Sequence, residues 1–174
     1  FAIFVATAFA YAGSEFVAEP SWKPISAEVA LTRLEEYLHS ANLPAPRQDE
    51  IVELWRTSGT DASEPALLDR LAQCLAKADD RVAKLVEFCS AANKPGQKLP
   101  DFAWLADSET PLLIRNNMRV YLARWLVQQG YYDEAIAWTD GLETEDTVAP
   151  ETLLFYRAIA SHQLVQPSQA DGAL

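Results

Sequence analysis

The sequence predicts an all-α chain of antiparallel helical hairpins, and three observations from Thr110 to Leu164 carry that prediction. Ile114, Met118, Tyr121, Leu122, Trp125 and Leu126 recur at three- and four-residue spacings, one face of a helix. Gly130 supplies a left-handed stop after Gln129, and the short turn that follows forces the next helix to run back along the first. Ala135 is small enough to let the two helices approach closely.

In chain order, FAIFVATAFAYAG (1–13) is an apolar run ending in Ala10-Tyr11-Ala12 and a glycine. It has the pattern of a secretory h-region and cleavage site without its basic n-region. Alone it is too short for a bilayer, which takes roughly 20 apolar residues. The segment is expected to be a secretory signal or, with residues upstream, an uncleaved anchor, and a buried helix of a longer soluble protein is the competing reading. Residues 14–25 contain Pro20 and Pro24 and read as an extended tether, with Trp22 and Ile25 at its inner end. A helical bundle is expected over 26–92. Ser26 caps a first helix to about Ala41, with Val29, Leu34, Tyr37 and Leu38 inward. Leu43-Pro44-Ala45-Pro46 is a stiff connector. A second helix from about Gln48 to Thr57 turns Ile51, Val52, Leu54 and Trp55 inward, and Gly59 stops it. From Ser63, the series Leu67, Leu71, Leu75, Ala78, Val82, Leu85 and Cys89 alternates in steps of four and three. That seam predicts one helix to about Ala92 rather than two broken near Ala78-Asp79-Asp80.

Residues 93–109 form a linker, NKPGQKLP followed by a short turn over 101–105. The hairpins occupy 110–174. Thr110 is the expected N-cap and Pro111 the first helical residue. Helices are expected at about 111–129, 132–142 and 150–165. Asp133 and Glu134 sit where the second helix dipole favours negative charge. Pro167 and Ser168 read as the start of a further helix that the sequence cuts short.

QQGYYDEAIAWTDGL resembles the turn and second helix of a tetratricopeptide repeat. Gly130, Tyr132 and Ala135 match the family's helix-ending glycine, following aromatic and small crossing residue, and Leu122 and Ala123 fit its first helix. Leu126 stands where the family has a tyrosine, Leu142 where it has an alanine, and the terminal proline is displaced to Pro150. At the spacing of one repeat, Tyr121 aligns with Tyr156, Ala123 with Ala158, Gln128 with Gln163 and Ala135 with Ala170. The wider stretch RWLVQQGYYDEAIAW…LLFYRAIASHQLV also resembles a group of uncharacterised bacterial exported proteins with helical repeats. The tetratricopeptide resemblance implies a right-handed helical array, an interaction architecture and no particular activity.

At 174 residues and 49% hydrophobic, the chain can bury a sizeable core. Its net charge of −11 argues against a nucleic-acid partner and against docking on anionic lipid. Membrane contact is expected only through 1–13, if uncleaved. Cys74 and Cys89 lie among apolar positions, and on one straight helix they would stand about 22 Å apart, beyond disulfide reach. Both are therefore read as packing residues. His39 and His162 lack ligand-type residues one turn away, and Glu35-Glu36 and Asp79-Asp80 point in diverging directions on a helix. No phosphate loop, nucleophile elbow or zinc-protease helix appears, so no catalytic residue, cofactor or metal is expected.

The polar group with most promise is Arg115, Asn116, Asn117, Arg119 and Arg124, a basic patch in an acidic protein. Of these, Arg115, Asn116, Arg119 and Arg124 are the candidate partner-binding residues, with pairing to the chain's own carboxylates as the competing reading. Tyr131 and Trp138 are the aromatic companions such a groove would use. The expected function is a non-catalytic module for protein–protein interaction or assembly at the cell envelope, exported or anchored. The alternatives are a spacer in a larger envelope protein or an enzyme whose site is assembled from distant residues.

Overall fold

The computed structural model describes residues 25–59, 61, 63–91 and 100–165. The apolar segment 1–13, the tether up to Pro24 with Trp22, linker residues 93–99 and the helix start at Pro167-Ser168 lie outside the described residues. Within them all regular structure is helical, with no strand. Seven α-helices follow one another: α1 Ala27–Ser40, α2 Ala45–Thr57, α3 Glu64–Ala78, α4 Asp80–Ser90, α5 Leu112–Gln128, α6 Tyr132–Thr139 and α7 Pro150–Val165. Short 3-10 turns lie at Ala103–Leu105 and Thr144–Asp146. None of the described helices is long and apolar enough to cross a membrane.

Ser26 caps α1 by accepting from the Val29 N–H at 3.3 Å. Ala30, Leu34 and Leu38 are its buried line, one residue every four. Val29 falls off that line and is 45% exposed, against expectation, and Tyr37 is half-buried. The connector expected over Leu43-Pro44-Ala45-Pro46 is shorter, because Ala45 and Pro46 already form the first turn of α2. Proline loses nothing there, since first-turn N–H groups have no helical partner. In α2, Ile51 and Trp55 are buried, while Val52 and Leu54 are only half-buried.

The single long helix expected from the Leu67–Cys89 seam is two. Asp79 is extended at φ −138°, ψ 118°, ending α3 and capping α4 through Arg81 N–H at 2.8 Å. Its carboxylate also takes the Arg81 guanidinium. Leu67, Leu71 and Leu75 on α3 and Val82 and Leu85 on α4 are buried on both sides of the break. A heptad spacing is kept by two short helices packed together as readily as by one long one.

Helix α5 begins one residue later than expected, with Pro111 in the capping position. Thr110 is instead buried, its hydroxyl donating to the Trp104 carbonyl at 2.7 Å. The expected inward residues are buried, but so are Val120, Ala123 and Val127, because α5 packs against α1, α3, α4, α6 and α7 and is the central helix. Gly130, at φ +81°, ends it. Tyr131 N–H reaches the Leu126 carbonyl and Gly130 N–H the Val127 carbonyl, the paired bonds of a Schellman stop. Arg119 reaches carbonyls at the end of α6 while Leu126 meets Tyr131 at its start, the order of an antiparallel pair. Helix α6 stops at Thr139, three residues short of the expected 142, and Leu142 is buried from the turn that follows.

One hydrophobic cluster runs from Ala30 on α1 to Ala160 on α7. Phe88, Phe102 and Trp125 pack in its interior, with ring centroids 4.8 Å apart for Phe88–Trp125 and 5.7 Å for Phe88–Phe102. Ala135 of α6 is buried, and Ile136 and Tyr156 are half-buried. Both thiols are unbridged. The 22 Å separation does not apply, since the helix is broken; the two cysteines instead face different neighbours. Cys74 Sγ lies 3.7 Å from the Ile51 carbonyl of α2, and Cys89 feels the charge of Arg124 on α5.

Candidate functional site

The candidate residues on α5 do not converge. Arg124 forms an ion pair with Asp69 of α3, and its guanidinium lies 4.8 Å from the Tyr121 ring centroid. Arg119 donates from Nε to the Trp138 carbonyl and from Nη2 to the Asp140 carbonyl, both at 2.6 Å. Arg157 of α7 joins it there, its Nη2 donating to the Thr139 carbonyl and to the Leu142 carbonyl. Two guanidiniums thus cover the negative end of α6, whose last carbonyls have no helical partner. Burial, then Arg115 and Arg157, lower the Arg119 guanidinium below its ordinary value, with Asp140 opposing. Arg115 is half-buried and makes one long bond, 3.4 Å, to the Asp107 carbonyl.

Asn116 and Asn117 are adjacent and both buried, yet only one is satisfied. Asn117 Oδ1 accepts from Thr147 Oγ1 at 2.9 Å and from Val148 N–H at 2.8 Å, and its Nδ2 donates to the Leu113 carbonyl. It ties the strap before α7 to the central helix. Asn116, 4% exposed, makes no hydrogen bond among the described residues and lines a groove of about 490 Å³ between α1 and α5. Its amide is not among the fully buried unpartnered atoms, which are Glu64 Oε1, Trp125 Nε1 and Thr152 Oγ1, so it is open to the groove.

The groove is built from three parts of the chain. Helix α1 supplies Arg33, Glu36 and Tyr37 from its last turns; α5 supplies Leu112, Leu113 and Asn116; the 3-10 turn supplies Glu145 and Asp146. Leu112 is 62% exposed at the rim. Arg33 and Glu36 make no hydrogen bond or ion pair among the described residues. Asp146 uses one carboxylate oxygen, Oδ2, to accept from Glu143 N–H at 3.1 Å, and Glu145 accepts from Thr144 Oγ1 at 3.0 Å, which orients the turn. Burial, and then the Asp79 carboxylate, raise the Tyr37 hydroxyl above its ordinary value against the pull of Arg81. The arrangement offers amide donor and acceptor, a guanidinium, three carboxylates and an apolar lip, which is recognition chemistry.

Among the groove residues Asn116 alone was a candidate partner contact from the sequence. Arg33 and Glu36 belong to a helix some eighty residues earlier, and only packing of α1 on α5 brings them there. Tyr131 stacks on Trp125 at 6.3 Å and Trp138 is half-buried; neither lines the groove. His39 and His162 sit in the last turns of α1 and α7, and no group of His, Cys, Asp and Glu among the described residues is spaced for a metal. Comparison with protein-family models, curated proteins and solved structures finds no match.

Proposed function

We propose that the chain is a non-catalytic helical module, its hairpins stacked in the tetratricopeptide manner, that holds a partner protein at the cell envelope. The observation that carries this reading is the unbonded Asn116 amide in an open groove where Arg33 and Glu36 also make no hydrogen bond or ion pair among the described residues. A bound polypeptide would return the hydrogen bonds the amide lacks. The apolar run at 1–13, with its signal-like ending, supports the location. Of the four candidate residues Asn116 is the contact we favour. Arg119 and Arg124 support the helices behind it, and Arg115 contributes charge alongside.

The test is site-specific photo-crosslinking in cells from a photoreactive residue at exposed position 112, with Phe155 on α7 as a second site. Adducts from position 112 that Asn116→Ala removes support the reading; no protein adduct from either position overturns it. The spacer alternative has its own observation. Leu154, Phe155 and Val165 lie exposed on the outer side of α7, a face suited to the next helix of a longer array. Adducts from position 155 alone, formed within a single longer chain, favour it.

A further inference from the structure

We infer that the α1–α5 groove takes an extended segment of a partner protein that carries lysine or arginine beside an apolar side chain. The inference rests on the interaction reading and names the chemistry of the ligand. Asn116 is the fixed point: an asparagine amide presents one acceptor and two donors, the complement of a peptide unit's N–H and C=O. The residue is nearly buried while its amide opens to the groove and makes no bond within the described chain, so a backbone laid there pairs with it without breaking a bond inside the protein.

Charge selects the side chains. Glu36, Glu145 and Asp146 face one cation, Arg33, so the groove is net negative and draws a basic segment. A second copy of a chain with net charge −11 brings mostly like charge and is a poor occupant. Leu112, largely uncovered at the rim, gives an apolar side chain of the segment something to lie on. A small molecule fits less well, because enclosed sites bury most of their ligand whereas this lip stays open. No covalent step is involved.

The experiment uses the full chain and three labelled hexapeptides, acetylated and amidated, with leucine and lysine separated by glycine, or with glutamate or glutamine replacing lysine. Binding is followed by fluorescence anisotropy. The lysine peptide is expected to bind about tenfold or more tighter than the glutamate peptide, with a gap that narrows as salt is added. Asn116→Ala is expected to weaken the lysine peptide about tenfold. Because Asn116 is buried, Glu36→Gln provides an exposed second variant, expected to weaken the lysine peptide and leave the glutamine peptide unchanged. Equal binding of lysine and glutamate peptides, or lysine binding unaffected by both variants, overturns the inference. Glutamine or glutamate peptides that bind as tightly as the lysine peptide, in an Asn116-dependent way, overturn the basic preference while leaving the interaction reading standing. Absence of binding by all three also overturns it, and the crosslink from position 112 then decides the wider reading.

Discussion

Glu64 belongs to α3, yet its Oε2 accepts from the N–H groups of Glu151 at 2.6 Å and Thr152 at 3.3 Å, the first turn of α7. It is a helix cap supplied from 87 residues away, placed where both the free N–H groups and the helix dipole reward a negative charge. Glu64→Ala should cost about 1–3 kcal/mol in urea unfolding, since two first-turn N–H donors, one of them buried, lose their acceptor. The same carboxyl is pushed above the ordinary 4.5 by burial, which outweighs the two backbone bonds that lower it. A raised folded value means that the fold binds this proton better than the unfolded chain. Its contribution is therefore present below 4.5 and lost as pH rises through the raised value. Glu64→Gln removes that titration, so its stability relative to the native chain should improve as pH rises across that window. Lowered carboxyls such as Asp61 and Asp79 slope the other way in both proteins and cancel in the difference. A relative stability that falls with pH, or stays level, would refute the assignment. Nothing in the local sequence of Ser63-Glu64-Pro65 announces this role, because the partner donors are defined only by tertiary packing.

Helices were legible where local chemistry decides them. Gly130 with its left-handed backbone, Ser26 with its hydroxyl cap and the turn before Tyr132 were each visible in residue order. The break at Asp79 was not, because Asp79 serves equally as a surface residue of one helix or as the cap of the next. Its consequence for the thiols is measurable. Burial pushes Cys74 and Cys89 up to about 12, so Ellman's reagent should react slowly with the native protein. Unfolding without reductant should release both thiols at once; a Cys74–Cys89 disulfide peptide by mass spectrometry would contradict the packing seen here. The end of α6 was illegible for another reason. At eight residues it is too short to hold itself, and it depends on Arg119 and Arg157 from its two neighbours. Arg119→Ala or Arg157→Ala should cost about 1–3 kcal/mol and speed amide exchange over 132–139 ahead of α5. Unchanged exchange in α6 would show that the guanidiniums do not support it.

The charge on the chain and the core beneath it act against each other. Apolar contact joins α1 through α7 in one cluster, with α3 and α5 each packed against five other helices. Loss of either should therefore unfold the described helices together. Over that core the chain carries 25 acidic and 14 basic residues. Four ion pairs occur among the described residues, and two of them, Arg47–Glu50 and Arg81–Asp79, join near neighbours in sequence. Four of the arginines that make no ion pair, Arg70, Arg115, Arg119 and Arg157, are directed at backbone carbonyls. Exposed pairs contribute little in any case. The surplus of negative charge is consequently left facing itself, and compact folding brings it closer than the unfolded chain does. Screening should relieve that repulsion faster than it weakens the few pairs. The melting temperature should rise as sodium chloride increases from ~0.02 M to ~0.2 M, where the Debye length falls below about 10 Å, and then level off. Arg124→Gln, which removes the Asp69 partner, should steepen the rise because it adds one more unopposed carboxylate. A melting temperature that falls over the same range would mean that attractive pairs, rather than like-charge repulsion, dominate the electrostatics of the fold.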